Sequence, residues 1–300
     1  VPITSGDLLA SLPDFFSAMD QPSVDGLNTF VVSRAVSECG FKVVLSGLGG
    51  DELFGGYPSF TRARSIAPLW RLPPSMRAVG ASAALSLGGV RGQRVRAALL
   101  ERSPAEAAYR ASRTLFDEEQ ISRLCGSSDG AGAAPDVALQ GSEVNLMQQV
   151  SALELDGYMR NTLLRDSDVF SMAHGLELRV PFVDAGVAAT AFMVAGLSAG
   201  DRMRPKEILV GAMGDILPPG ILDAPKRGFT LPFETWLRGE MRDEVGSVLT
   251  GPVAASVGLD STVVADVWNA FQAKTRGVNW SRPWALYTLA RWASLNRMSQ

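Results

Sequence analysis

Along most of this chain apolar residues recur at helical spacing, and one short stretch breaks the rhythm. Between positions 7 and 19, Leu8, Leu9, Leu12, Phe15 and Phe16 mark a helical face that Pro13 interrupts. Residues 20–26 are polar and carry Pro22, as a connecting turn would. Positions 28–39 predict another helix, with Phe30, Val31, Ala35 and Val36 inward and Gly40 as the residue that stops it. Val43-Val44-Leu45 follows at once. It is an unbroken, β-branched apolar run, the pattern of a strand buried on both faces. A helix leading directly into such a strand is the αβ unit of a parallel sheet. The expected class is therefore α/β, with 42–45 as an interior strand between helices on both faces.

Beyond Tyr57 the pattern is helical again. Arg62, Arg64, Arg71 and Arg77 lie along it, and Pro73-Pro74 breaks it. Gly88-Gly89 and the arginines of 91–96 predict a surface loop with a solvated basic face. Ser103-Pro104-Ala105-Glu106 and Asp117-Glu118-Glu119-Gln120 read as capping boxes, each opening a helix. Small and polar residues over 127–135 predict a mobile loop. A long helix is expected over 144–172, with Met147, Val150, Leu153, Leu163 and Leu164 as core positions. Lys206 opens a further helix that ends near Pro218. From Asp260 a stripe of Val263, Val264, Val267, Trp268 and Phe271, then Trp280, Trp284, Leu286, Tyr287, Leu289 and Trp292, reads as packing.

Composition narrows the function. Three hundred residues, 46% of them apolar, suffice for a sizeable core. A net charge of −3 implies no general affinity for nucleic acid or an anionic membrane. No apolar run approaches the roughly 18 residues of a membrane span. Cys39 and Cys125 have no metal-ligand spacing and read as small buried hydrophobes in a reducing, cytoplasmic compartment. The lone histidine, His174, leaves little room for a His-rich metal site or a Ser-His-Asp hydrolase.

The candidate chemistry lies where the apolar run stops, at Ser46-Gly47-Leu48-Gly49-Gly50-Asp51-Glu52-Leu53-Phe54-Gly55-Gly56-Tyr57. Glycines let backbone approach a ligand, and carboxylates are oxygen ligands for Mg²⁺. Ligands bind at the carboxyl ends of strands in open α/β sheets. The residues admit two readings: a strand-end site for a metal–nucleotide complex, or a glycine-rich turn leading into an acidic helix start. Lysine is a compact point charge suited to phosphate oxygens, which makes Lys206 and Lys226 candidates. Arg227 and Gly228 beside Lys226 would let a cationic loop close over a pyrophosphate.

The 46–57 stretch resembles the S-G-x-G-x-D-E-x-F-G-G-Y signature of the synthetase domain of glutamine-dependent asparagine synthetases. Asp168, Ser171, Met172, Ala173, Glu177, Arg179, Pro181 and Asp184 resemble the family's second block, with Val169 where an Arg is commoner. Pro225-Lys226-Arg227-Gly228-Phe229 with Trp236-Leu237 resembles a third, and Lys206 stands 226 − 206 = 20 residues ahead of Lys226, as in the family. The resemblance implies a Rossmann-like, adenine-nucleotide α-hydrolase-like fold with a parallel sheet flanked by many helices. It spans 1–300 as a partial synthetase domain, with a helical insertion over 60–140. It also implies ATP with Mg²⁺, and adenylation of a carboxylate, aspartate first, before ammonia derived from glutamine forms the amide. Ser46, Gly47, Leu48, Gly49, Gly50, Asp51, Glu52 and Arg227 would hold the nucleotide, Asp51 the metal, and Lys226 and Lys206 would be catalytic. The second block is expected to form a polar network packed under the site, with Arg179 paired to Glu177 or Asp184.

Two family pieces have no match here: a glutaminase domain and an S-G-G-x-D-S pyrophosphate loop. The chain, opening on Val1, is expected to be a fragment of a longer parent, dimeric through that N-terminal domain. Leu48 stands where many asparagine synthetases carry Glu and β-lactam synthetases carry Tyr. A related ligase acting on another carboxylate, or an inactive nucleotide-binding module, are the alternatives.

Overall fold

The computed structural model describes residues 4–87, 89–126, 144–197, 206–218 and 231–297. The expected loop at 127–135 and the segment holding Lys226 and Arg227 lie outside the described residues.

The first helical stretch divides as its proline requires, into α1 (Ser5–Ala10) and α2 (Leu12–Ala18), with Pro13 in the first turn of the second. Next come α3 (Gly26–Glu38) and β1 (Val43–Leu45). Gly40 takes φ +86°, the left-handed residue expected just past the helix. The signature stretch forms the short α4 (Gly50–Leu53). Five helices follow: α5 (Pro58–Ile66), α6 (Pro74–Ala84), α7 (Gly89–Leu100), α8 (Pro104–Arg113) and α9 (Glu118–Cys125). The cap of α9 is a full box between Asp117 and Gln120. At α8 only half of one forms: Ser103 accepts from Glu106 N–H, while the Glu106 carboxylate accepts from Arg102 N–H one residue further out.

The predicted long helix is α10 (Leu146–Leu153), a π-helical segment (Glu154–Leu163) and α11 (Leu164–Met172), run together. It leads into β2 (Glu177–Arg179) and α12 (Ala185–Leu197). Then come α13 (Glu207–Met213), α14 (Phe233–Arg238), α15 (Arg242–Thr250), α16 (Pro252–Ser256), α17 (Ser261–Gln272) and α18 (Ser281–Arg297). Among the described residues no helix is long and apolar enough to cross a membrane.

The protein is thus a mostly helical α/β chain with a small parallel sheet. β1 and β2 pair in register, Val43 with Glu177, Val44 with Leu178 and Leu45 with Arg179. The main core joins α1–α3 and α11 to the C-terminal helices through Phe15, Phe16, Phe30, Phe170, Trp284 and Tyr287. Each such side chain contributes about 1.5–3 kcal/mol on burial. The aromatic stripe of the tail is packing, as expected. A second cluster links α5, α8 and α10. A third, beneath the signature loop, sets Leu53 and Phe54 against Ala191, Phe182, Ile208 and Leu209.

Three expectations need correction. β1 is not buried on both faces: Val43 is 41% and Leu45 75% exposed. Its only partner among the described residues is β2, and the side chains beside Val43 and Leu45 in register are the charged Glu177 and Arg179, also exposed. The 91–96 region is not a loop but part of α7. Its Gln, Arg, Ala and Leu residues favour helix, and Gly92 serves close packing, since a Cβ there would stand 2.5 Å from the Ala84 carbonyl oxygen. Arg94 and Arg96 are solvated, as the sequence implies. Cys39 and Cys125 are exposed free thiols. Each falls at a helix C-terminus: Cys39 lies past the last buried residue of α3, Ser33, and at the end of α9 Leu124 is buried instead of Cys125.

Candidate functional site

The loop leaving β1 turns sharply because its backbone can. Ser46 N–H donates to the Arg179 carbonyl at 2.8 Å, extending the ladder one residue beyond the strands. Leu48 N–H donates to Ser46 Oγ at 3.3 Å and Gly50 N–H to the Gly47 carbonyl at 3.1 Å. Gly49 takes φ +94°, and a Cβ there would lie 3.0 Å from Phe182 Cβ and Val183 Cγ2. Glycine is therefore required twice, for the turn and for the approach of the segment after β2.

α4 sends its two carboxylates to different places. Asp51 is half-buried at the loop, and Lys206 Nζ stands 2.8 Å from its Oδ1, an ion pair close in distance but not aligned as a hydrogen bond. Gly56 leaves room for it: a Cβ at 56 would overlap Asp51 Oδ1 at 1.9 Å, and Gly56 N–H donates to the Asp51 carbonyl at 2.8 Å. Lys206 is held independently by its own N–H, which donates to the Phe54 carbonyl at 2.7 Å. Its φ of 62° is left-handed, a conformation non-glycine residues adopt only when their surroundings impose it.

Glu52 turns inward and is only 1% exposed. Tyr57 Oη donates to Glu52 Oε1 at 2.7 Å. Burial, ahead of every other cause, pushes the Glu52 carboxyl above its usual range and raises the Tyr57 phenol strongly. Behind Tyr57 the Arg113 guanidinium packs against two aromatic rings that meet edge-to-face, 4.4 Å from the Tyr57 centroid and 3.7 Å from that of Tyr158. Its Nε and Nη2 both donate to Glu154 Oε2, at 2.9 and 2.7 Å. Glu154 is fully buried, and Ser59 Oγ donates to its other oxygen at 2.6 Å. Tyr158 Oη in turn donates to Asp25 Oδ2 at 2.7 Å. Nearby, Ser23 Oγ donates to Asp166 Oδ2 at 2.5 Å, and burial raises the Asp166 carboxyl to about 7.

A polar network therefore does pack under the site, but through residues the sequence did not single out for it: Asp25, Arg113, Glu154 and Tyr158. The one sequence signal was a glutamate inside the apolar Ala152-Leu153-Glu154-Leu155 run. The second-block charges face outward instead. Arg179 and Glu177 form a solvated pair at 2.8 Å, of small energetic weight. Asp184 accepts from Gly186 N–H at 2.9 Å and Val187 N–H at 3.2 Å, capping α12 rather than pairing with Arg179.

Of the sequence-predicted site residues, Ser46, Gly47, Leu48, Gly49, Gly50 and Asp51 share the strand-end loop and Lys206 joins them. Glu52 lies behind that loop. Among the described residues no group of three His, Cys, Asp or Glu could hold a metal. One half-exposed carboxylate suits Mg²⁺ carried in on phosphates, which keeps several waters and takes one or two carboxylates from protein. Asp51 fits that role.

The arrangement is that of an α/β protein presenting a carboxylate and a cation where parallel strands end. More narrowly, the chain belongs to the asparagine synthase family, whose model matches residues 1–294. It is 31% identical over 254 residues to a putative glutamine-hydrolysing asparagine synthetase of Mycobacterium tuberculosis, covering 80% of this chain and 37% of that protein. It is 29% identical over 259 residues to glutamine-hydrolysing asparagine synthetase 1 of Bacillus subtilis, covering 82% of this chain and 40% of the relative. The chain thus spans about two-fifths of the length of these relatives. No solved structure matches it.

Proposed function

We propose that this chain supplies the synthetase part of an ATP-dependent amide ligase of asparagine-synthetase type. A substrate carboxylate, aspartate first, attacks the α-phosphorus of ATP and releases pyrophosphate. Ammonia derived from glutamine then displaces AMP and forms the amide. The observation that carries this reading, beside family membership, is Lys206 Nζ at 2.8 Å from Asp51 Oδ1 at the end of parallel strands.

In this reading the backbone of Ser46–Gly50 approaches the nucleotide, because its glycines leave it bare. Mg²⁺, when bound, screens phosphate charge. Asp51 would hold it, and Lys206 would lend its charge to phosphate oxygen. Glu52 serves from behind, through Tyr57. Lys226 and Arg227, outside the described residues, bring further positive charge. The Rossmann-like fold, the reading of 60–140 as a helical insertion, and a longer parent carrying the glutaminase domain and the pyrophosphate loop all belong to this proposal.

The test is aspartate-dependent ATP–pyrophosphate exchange by the full-length polypeptide containing this chain. Asp51→Asn keeps the shape and removes the charge. Exchange should fall steeply, by several kcal/mol in transition-state terms, on the order of 10³-fold. Exchange at the unmutated rate would remove Asp51 from the site. Leu48 favours a second reading, because leucine can neither transfer a proton nor bind an amine. On that reading the carboxylate belongs to another molecule. AMP release with a panel of carboxylates, and none with aspartate, would select it.

A further inference from the structure

The Arg113 clamp lies outside the residues that any family motif singled out. Three facts define it. Arg113 ends α8, remote in sequence from the signature loop, yet its guanidinium packs in the corner where Tyr57 and Tyr158 meet edge-to-face. It is the cation facing Glu154, a fully buried carboxylate whose other oxygen is already taken by Ser59. And Tyr57, the ring it holds, immediately follows Gly56, whose missing side chain leaves space for the Asp51 carboxylate.

We infer that Arg113 is a positioning residue: it fixes Tyr57, and through Tyr57 the end of the signature loop that presents Asp51. The geometry supplies the route. Tyr57 is pinned at its ring face by the guanidinium and at its hydroxyl by Glu52. With both ends held, Gly56 stays against Asp51 and its N–H stays on the Asp51 carbonyl. Tyr158, edge-to-face with Tyr57 against the same guanidinium, continues the chain of contacts to Asp25 at the start of α3. A guanidinium can contact both rings while its rigid fork donates two N–H groups to one carboxylate; a compact ammonium lacks that extended fork and does not span all three partners at once. Lysine at 113 would neutralise Glu154 but release Tyr57.

The inference rests on the proposed reading of Asp51, and its test separates the two. In the full-length polypeptide, Arg113→Lys, Tyr57→Phe and Asp51→Asn are compared with the unmutated protein by thermal melt and by ATP–pyrophosphate exchange across MgATP concentrations. Arg113→Lys is expected to stay folded, to raise KM for MgATP roughly 3–10-fold and to lower kcat roughly tenfold. Tyr57→Phe leaves both rings in place and removes only the hydroxyl, so it should show a smaller loss of the same kind. A lowered melt with kcat and KM within twofold of the unmutated protein would make Arg113 purely structural and overturn the inference. Should Arg113→Lys not fold, Tyr57→Phe decides: kinetics unchanged there would break the route to Asp51. Loss of exchange in Asp51→Asn with none in the other two variants would sink this inference alone. Full exchange in Asp51→Asn would sink the reading of the site instead.

Discussion

Lys206 grips the signature loop at two points, Nζ at 2.8 Å from Asp51 Oδ1 and its backbone N–H at 2.7 Å from the Phe54 carbonyl. The two contacts hold it in a left-handed conformation, φ 62°. Ile208 and Leu209, just behind it, anchor α13 on Leu53 and Phe54. Backbone strain and side-chain charge can be separated here. Lys206→Gly and Lys206→Ala both delete the ammonium, but only alanine keeps the strain. Lys206→Gly should be the more stable of the two by about 1 kcal/mol in urea unfolding. Both should be equally deficient in pyrophosphate exchange. Alanine matching or exceeding glycine would show that the conformation is not imposed.

Gly49→Ala attacks the loop from the other side. Its φ of +94° strains any side chain, and a methyl group would stand 3.0 Å from Phe182 Cβ and Val183 Cγ2, which would have to give way. The strain alone costs about 1–2 kcal/mol, so the melt should fall by several degrees. On the proposed reading of the site, KM for MgATP should rise, because the backbone assigned to the nucleotide would shift. A variant with the unmutated melt and KM would show that the loop can rotate freely.

Asp166 gives a pH dependence whose sign is fixed. Its folded carboxyl titrates near 7, raised by burial from an ordinary 3.8. The unfolded chain therefore loses this proton first. The neutral form's contribution is complete below about pH 4 and is lost as pH rises toward about 7. Asp166→Asn cannot ionise. In urea unfolding at about pH 5 and about pH 8, the asparagine variant should gain on the unmutated protein at the higher pH. A difference between the two that does not change with pH would place the Asp166 titration elsewhere.

Lys226, outside the described residues, is tested by Lys226→Met, which keeps the stem and removes the charge. The Pro225-Lys226-Arg227-Gly228 sequence motivates it. A preorganised cation at the leaving pyrophosphate stabilises the transition state, so AMP formation should drop roughly 10²–10³-fold with the melt intact. Normal AMP formation would reduce this lysine to surface charge; a collapsed melt would make it structural.

Local signals survived translation into structure where a residue's own backbone decides the outcome. Pro13 split the first helix, Gly40 ended α3, and Asp117 with Gln120 capped α9. The signature loop was legible for the same reason, since its glycines dictate a turn. What the sequence could not show were choices made by distant partners. Val43 and Leu45 form a strand as their type demands, but their burial depends on what covers the sheet. Nothing near Arg113 announces Glu154; Lys206 is placed at the Asp51 site by the family spacing to Lys226, not by anything in its own neighbourhood. The arginines of 91–96 read as a loop because a solvated loop and the solvated face of a helix look alike in sequence.

The pairing of β1 with β2 also orders the events of folding. Val43 and its partner Glu177 are 177 − 43 = 134 residues apart. Closing a loop of that length in a flexible chain costs about 4 kcal/mol in chain entropy before any ladder bond compensates. The cluster of Phe60, Ala63, Ala105, Ala108, Tyr109, Val150 and Leu153 lies wholly within that span. Once its helices condense through nearer contacts, the distance left to close is much shorter. The two strands are then late to meet, and the loop carrying Asp51 takes its working shape only after the helices between them have already assembled.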